Sequence, residues 1–187
     1  MENYDRIIKI IDINLIFCLV PLVLSLFVIH VAFKDKFKTK KSLNLIRWVI
    51  IGYTTITLFH FVISSIFFSE EMAFFDRATG PYMIFYWLMT LSAIVIPFTL
   101  LIKKLGSNFL YVMLISFLMK IGAYFERFVI IVTSLHSDYS PFEKKSDLPS
   151  IQCIVAVIFL QGLLLAIMSL VFVAIFERLK LRMKSID

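Results

Sequence analysis

The chain has 187 residues, of which 60% are hydrophobic and 20 are phenylalanine, and its formal net charge is +6. Soluble domains are nearer half apolar, and here the apolar residues fall in long runs, so a soluble globular enzyme is excluded and no segment is left for a separate soluble domain. The positive charge follows the loops between those runs, which argues for membrane topology rather than nucleic-acid binding.

A bilayer core of about 30 Å needs about 20 consecutive apolar residues per helix. Residues 13–33, 45–68, 82–102, 109–135 and 151–176 meet that requirement. The predicted fold is an all-α membrane protein of five transmembrane helices. A β-barrel is excluded because stretches such as 154–160 do not alternate apolar and polar residues. Met1 to Asp5 are acidic and no small-x-small site follows the first run, so the N-terminus reads as uncleaved.

In the first span Asp12 and Asn14 lie at the entrance. Pro21 lacks an N–H and clashes with the Phe17 carbonyl, which predicts a kink or local loosening. His30 lies near the other end, at headgroup level. The loop 34–41 carries five lysines against Asp35. In the second span Ser42 or Asn44 is the expected cap, Arg47 is expected to snorkel, and Trp48 to anchor the interface. Tyr53, Thr57, His60 and Ser64 recur at i, i+4, i+7 and i+11, on one helical stripe. That stripe is either an interhelical hydrogen-bond seam or a hydrated one with His60 as its titratable member.

The acidic loop 69–80 ends in Gly80-Pro81 and reads as a solvated turn. Tyr82, Tyr86 and Trp87 form an aromatic belt at the start of the third span. Pro97 frees the carbonyl of Ala93, so a kink is expected there. Gly106 terminates the tight connection 103–107, and Ser107 or Asn108 caps the fourth span, giving an antiparallel hairpin.

The fourth span holds the chemistry. Lys120, Glu126 and Arg127 sit in one membrane helix, and a charge at mid-helix costs roughly 2.5–3.5 kcal/mol on insertion scales. Lys120 and Arg127 lie two turns apart on one face, and Glu126 neutralises one at most. The residues read either as a structural ion pair locking neighbouring helices or, with His136, as a proton or ion pathway. The loop 137–150 is an outer connection with a contact role. The fifth span reads as a packing helix with Gln161-Gly162, Ser169 and a basic exit beyond Glu177. Cys18 and Cys153 show no paired or ligand spacing and read as small hydrophobes. Twelve Lys or Arg residues fall on the side of loop 34–41, residues 103–104 and the C-terminus. The positive-inside rule therefore puts the N-terminus outside and the C-terminus in the cytoplasm.

The stretch ERFVIIVTSLH, Glu126 to His136, resembles a signature of the NrfD/polysulfide-reductase-type membrane subunits. It is most similar to the pair of large membrane subunits in alternative complex III, a bacterial quinol:cytochrome c oxidoreductase. Ile121-Gly122, Phe125 before Glu126, and Asp138 followed by Tyr139 fit the same pattern. A looser resemblance runs from about residue 81 to the end of the fifth span. The chain departs from the family at Ser137, where a basic residue is usual, and at Lys120, where the family has a neutral one.

The resemblance implies a fold of two four-helix bundles with flanking helices. This chain has room for the C-terminal bundle only, so 1–187 is expected to be a single membrane domain. In it 42–187 form the NrfD-like four-helix bundle, and 1–41 add a first helix and a basic loop. The family's quinol pocket belongs to the missing bundle, so no quinol-binding residue carries over. The match implies that Glu126, Arg127 and His136 lie on a proposed transmembrane proton route, which Lys120, His60 and Tyr53 would extend.

The implied role is a subunit of a respiratory quinol:cytochrome c oxidoreductase in the bacterial inner membrane, not catalytic alone. Its partners would be a full-length NrfD-like membrane subunit, an iron–sulfur subunit and a multihaem cytochrome c subunit. Quinol, iron–sulfur and haem groups would reside in those partners, with no cofactor bound by this chain. The alternatives are a structural or assembly half-copy without redox or proton work, and an unrelated small transporter. No inverted repeat is visible to support the latter.

Overall fold

A computed structural model of the chain describes residues 6, 10–33, 36–67, 78–81, 83–122, 124 and 151–184. Among the described residues every element is helical. Asp12–Phe33, Thr39–Phe67, Met83–Leu101 and Cys153–Met183 are each long and apolar enough to cross a membrane, and Phe109–Leu118 is a shorter apolar helix. This is the make-up of a multi-pass all-α membrane protein, in which all backbone polar groups must be satisfied within helices. Besides the single α-helical turn Lys103–Gly106, the α-helical parts are α1 (Leu19–Phe33), α2 (Thr39–Phe67), α3 (Met83–Thr90), α4 (Phe109–Leu118) and α5 (Ile151–Lys184).

The first span opens as a π-helical turn, Asp12–Ile16, in which the Phe17 N–H donates to the Asp12 carbonyl at 3.0 Å. The Cys18 N–H reaches only to Leu15, at 3.1 Å, and α1 begins one residue later. Pro21 accounts for this break. It has no N–H for the Phe17 carbonyl, and its ring crowds that carbonyl. Within α1 it occupies the first turn, where a missing N–H costs least. The expected loosening therefore lies N-terminal to the proline, as a widened turn.

The third span repeats the device. α3 passes into a π-helical turn, Leu91–Val95, and then a 3-10 turn, Ile96–Leu101, that carries Pro97. The kink predicted near Ala93 takes the form of this change of helix type. Thr99 Oγ1 lies 2.7 Å from the Tyr111 hydroxyl and ties the third span to α4. Asn108 caps α4, its Oδ1 accepting from the Leu110 N–H at 2.9 Å.

α1 lies in the middle of the packing, against α5, α4 and α2. Its Leu19, Val23 and Leu26 are fully buried. Among the described residues α1 is thus the neighbour that α2, α4 and α5 share. The closest approach is to α5. A Cβ on Gly162 would lie 2.8 Å from the Pro21 ring and 2.9 Å from the Leu22 nitrogen, so glycine lets α5 cross α1 at its proline. Buried Ala166 and half-buried Ser169 follow at i+4 and i+7, the small-residue line that brings membrane helices together. Ser169 donates to the Ala166 carbonyl at 2.7 Å and accepts from Ser42 of α2 at 2.5 Å.

One end of the molecule is basic. Lys38 and Lys41 both pair with Glu177 of α5. His30, near the end of α1, lies 2.8 Å from Thr39 Oγ1 and stacks on Phe109 with ring centroids 5.2 Å apart. α2 starts at Thr39, ahead of the expected caps Ser42 and Asn44, because the Lys38 carbonyl accepts the Lys41 and Ser42 N–H groups. Arg47 does not snorkel as expected. It is 8% exposed, with its guanidinium carbon 5.4 Å from the Trp48 ring centroid, and it packs under the turn Lys103–Gly106. Gly106 makes room for it: a Cβ there would strike the Arg47 side chain and lie 2.8 Å from the Leu100 carbonyl.

Replacing Gly162 by leucine should push α5 off Pro21. The expected cost is about 1–3 kcal/mol, as for other overpacked helix contacts, read as a lower midpoint of thermal unfolding in mild detergent. Leu163, on the exposed side of the same turn, is the natural comparison: Leu163→Ala should change the midpoint little.

Candidate functional site

The widened turn at the start of the first span carries a polar network that joins three helical segments. Asp12 stands at its first position. The Tyr53 hydroxyl of α2 donates to Asp12 Oδ1 at 2.9 Å. Lys120, two residues beyond α4, donates from its ammonium to the same oxygen and forms an ion pair with it. The Lys120 Nζ also lies 4.4 Å from the centroid of the Phe17 ring. The Lys120 side chain is 11% exposed and that of Asp12 is 28% exposed.

Each contact has a local cause. Lys120 lies eleven residues past Phe109, about 16 Å along the helix axis at 1.5 Å per residue. Its stem continues along apolar surface until the ammonium meets Asp12, as long cationic side chains do in membranes. Phe17 sits at the break above Pro21, which is how its ring comes to face the ammonium. A cation over an aromatic face is worth about 0.5–2 kcal/mol, the upper part when water is excluded. The carboxylate matters more than the ring, because a lone charge there would have to be desolvated with nothing in return.

The same turn reaches the fifth span. Gln161 of α5 donates to the Asn14 carbonyl at 3.0 Å and to Asn14 Oδ1 at 3.2 Å, while Asn14 donates to the Ile10 carbonyl at 2.8 Å. Asp12 and Asn14 thus join the first span to α2, to the residues after α4 and to α5. Chemically the centre holds one positive charge against one negative charge, with a phenol as second donor. It ties the first span to α2 and to the residues after α4.

Of the candidate site residues, the structure brings Tyr53 and Lys120 together. His60 lies apart from them along α2: its Nε2 is 3.4 Å from Ser64 Oγ. Thr57 donates to the Tyr53 carbonyl at 2.9 Å, within its own helix. The stripe Tyr53, Thr57, His60 and Ser64 exists, and Tyr53 carries its bond to another span. Glu126, Arg127 and His136 lie outside the described residues. Asp12, by sequence an entrance residue of the first span, is the counter-ion of Lys120. The signal for it is Lys120 itself, a cation two turns from the nearest like charge and in need of a carboxylate from another helix. Among the described residues no three His, Cys, Asp or Glu side chains gather as a metal site.

Fold and site define a multi-pass helical membrane protein whose helices are tied by a partly buried ion pair. No protein-family model matches the chain, and no curated protein matches it.

Asp12→Asn and Lys120→Met should each destabilise the protein by about 2–4 kcal/mol, the range for breaking a buried pair reduced for the partial exposure of Asp12. The double variant should recover about 1–3 kcal/mol of the summed loss. Thermal unfolding of the four proteins in detergent gives the cycle; strictly additive losses would mean that the two groups do not interact. Tyr53→Phe, which removes one hydrogen bond, should cost about 1 kcal/mol.

Proposed function

We propose that the chain is a non-catalytic integral subunit of a membrane redox complex, in the manner of the NrfD-type subunits of alternative complex III. The observation that carries this reading is the Asp12–Tyr53–Lys120 network. Polar groups held between spans are kept in membranes at a cost, and they mark sites of coupling or assembly. With Asp12 answering Lys120, the charge balance of the fourth span no longer asks Glu126 to serve two cations. That frees the Glu126–Arg127–His136 series for the proton route that the family resemblance of residues 126–136 implies.

In this reading quinol, iron–sulfur and haem groups belong to partner subunits: a full-length NrfD-like membrane subunit, an iron–sulfur subunit and a multihaem cytochrome c subunit. The membrane is the bacterial inner membrane. The basic end, with Lys38, Lys41, Lys103, Lys104 and Arg178, faces the cytoplasm by the positive-inside rule, and the Asp12 end faces outwards.

The same network supports a second reading. The network closes on itself as an ion pair with a shared acceptor, which is the form of a packing lock. On that reading the chain is a structural or assembly subunit without proton work.

Glu126→Gln separates the two. On the first reading the variant assembles but loses quinol turnover or its proton coupling. Normal coupled turnover would remove the proton route and leave the structural reading. The assembly claim is checked by affinity purification of the tagged chain in mild detergent. Iron–sulfur and multihaem cytochrome subunits are expected in stoichiometric yield, and purification of the chain alone would exclude such a complex.

A further inference from the structure

The basic end carries a second arrangement that the proposed function does not use. Glu177 of α5 is 17% exposed, and each of its carboxylate oxygens is taken by a different lysine, Oε2 by Lys38 and Oε1 by Lys41. Those two pairs draw the turn after α1 onto the exit of α5. Beside the Lys38 pair a half-open pocket of about 230 Å³ lies between the two segments. Lys36 and Arg178 also line it, and neither has an ion-pair partner among the described residues. Three cations, Lys36, Lys38 and Arg178, thus line the pocket beside Glu177, and Lys41 pairs with that carboxylate from α2. The pocket has an excess of positive charge, and two of its cations have no ion pair among the described residues.

The rest of the lining is apolar: Phe37, Leu170, Ala174 and Leu181. Leu170 and Ala174 form its wall on α5, two turns and one turn before Glu177, in the direction of the membrane. Cationic donors at the rim above an apolar wall that descends into the bilayer match one chemistry: a phosphate with acyl chains attached. Arginine offers a fork of N–H donors to phosphate oxygens, and lysine a point charge. Basic pockets between membrane helices are suited to anionic headgroups.

We propose that this pocket is a specific site for the headgroup phosphate of an anionic glycerophospholipid. Lys36 and Arg178 hold the phosphate, Glu177 sets the positions of Lys38 and Lys41, and an acyl chain runs along Leu170 and Ala174. The inference rests on the membrane location of the chain and is independent of the redox reading.

The test is native mass spectrometry of the full chain in mild detergent, titrated with dioleoyl phosphatidylglycerol, with dioleoyl phosphatidylcholine and with inorganic phosphate. One tightly retained phosphatidylglycerol is expected, held at least tenfold better than phosphatidylcholine, with no comparable retention of inorganic phosphate. The K36Q/R178Q double variant should weaken it at least tenfold. K103Q/K104Q, which removes the same charge from the same end outside the pocket, should leave it unchanged. Ala174→Phe fills the apolar wall without altering charge, and it too should displace the lipid. Equal retention of phosphatidylcholine, equal loss in K103Q/K104Q, or phosphatidylglycerol retained by both pocket variants would each overturn the site. Retention of inorganic phosphate alone would overturn the lipid as occupant.

Discussion

A bilayer offers a charged side chain no water, and Lys120 therefore needs an anion within reach. The anion is Asp12, 108 residues away in the chain and at the first position of the first span. This pairing holds the residues just after α4 to the start of the first span, and Tyr53 brings α2 to the same oxygen. An ion pair in such surroundings is not a large net gain, since desolvation of both groups offsets most of their attraction. What it does is penalise other arrangements, because any packing that parts the two leaves the largely buried Lys120 without its counter-ion. The pair is thus a device of register between helices that apolar packing alone would leave free to slide.

The site exists because the first span is not a regular helix. Pro21 interrupts the hydrogen-bond ladder, and the residues before it widen into a π-helical turn that carries Asp12 and Asn14. The same proline is the point at which Gly162 lets α5 approach. One imperfection in α1 therefore serves two neighbours: its backbone break orients polar groups, and its ring seats against a glycine. Small residues at a membrane helix crossing replace the hydrophobic drive that water would otherwise supply.

The two ends of the molecule are held by different chemistry. At the Asp12 end one carboxylate faces one ammonium and a phenol, inside the spans. At the basic end Glu177 faces two lysines at the exit of α5, and His30 joins α1 to Thr39 and to Phe109. The first resists water and fixes helix register. The second is made by lysines that are more than half exposed, where water and salt screen charge, so its pairs hold a turn and the start of α2 against a helix end at little energetic gain.

The class of the protein is legible from residue runs, because a membrane span is a local property: about 20 apolar residues suffice, whatever they touch. The irregularities are legible for the same reason. Pro21 and Pro97 act on carbonyls four residues back, and both breaks fall where that rule puts them. The need of Lys120 for a partner is also written in the sequence, as is the polar stripe from Tyr53 to Ser64. The identity of the partner is not. Asp12 reads as an entrance residue until α1 is seen among α2, α4 and α5. Arg47 reads as a snorkelling side chain until the turn at Gly106 closes over it. Both belong to contacts between segments distant in the chain. Periodicity says which face of a helix is polar, and only the crossing of helices says what that face meets.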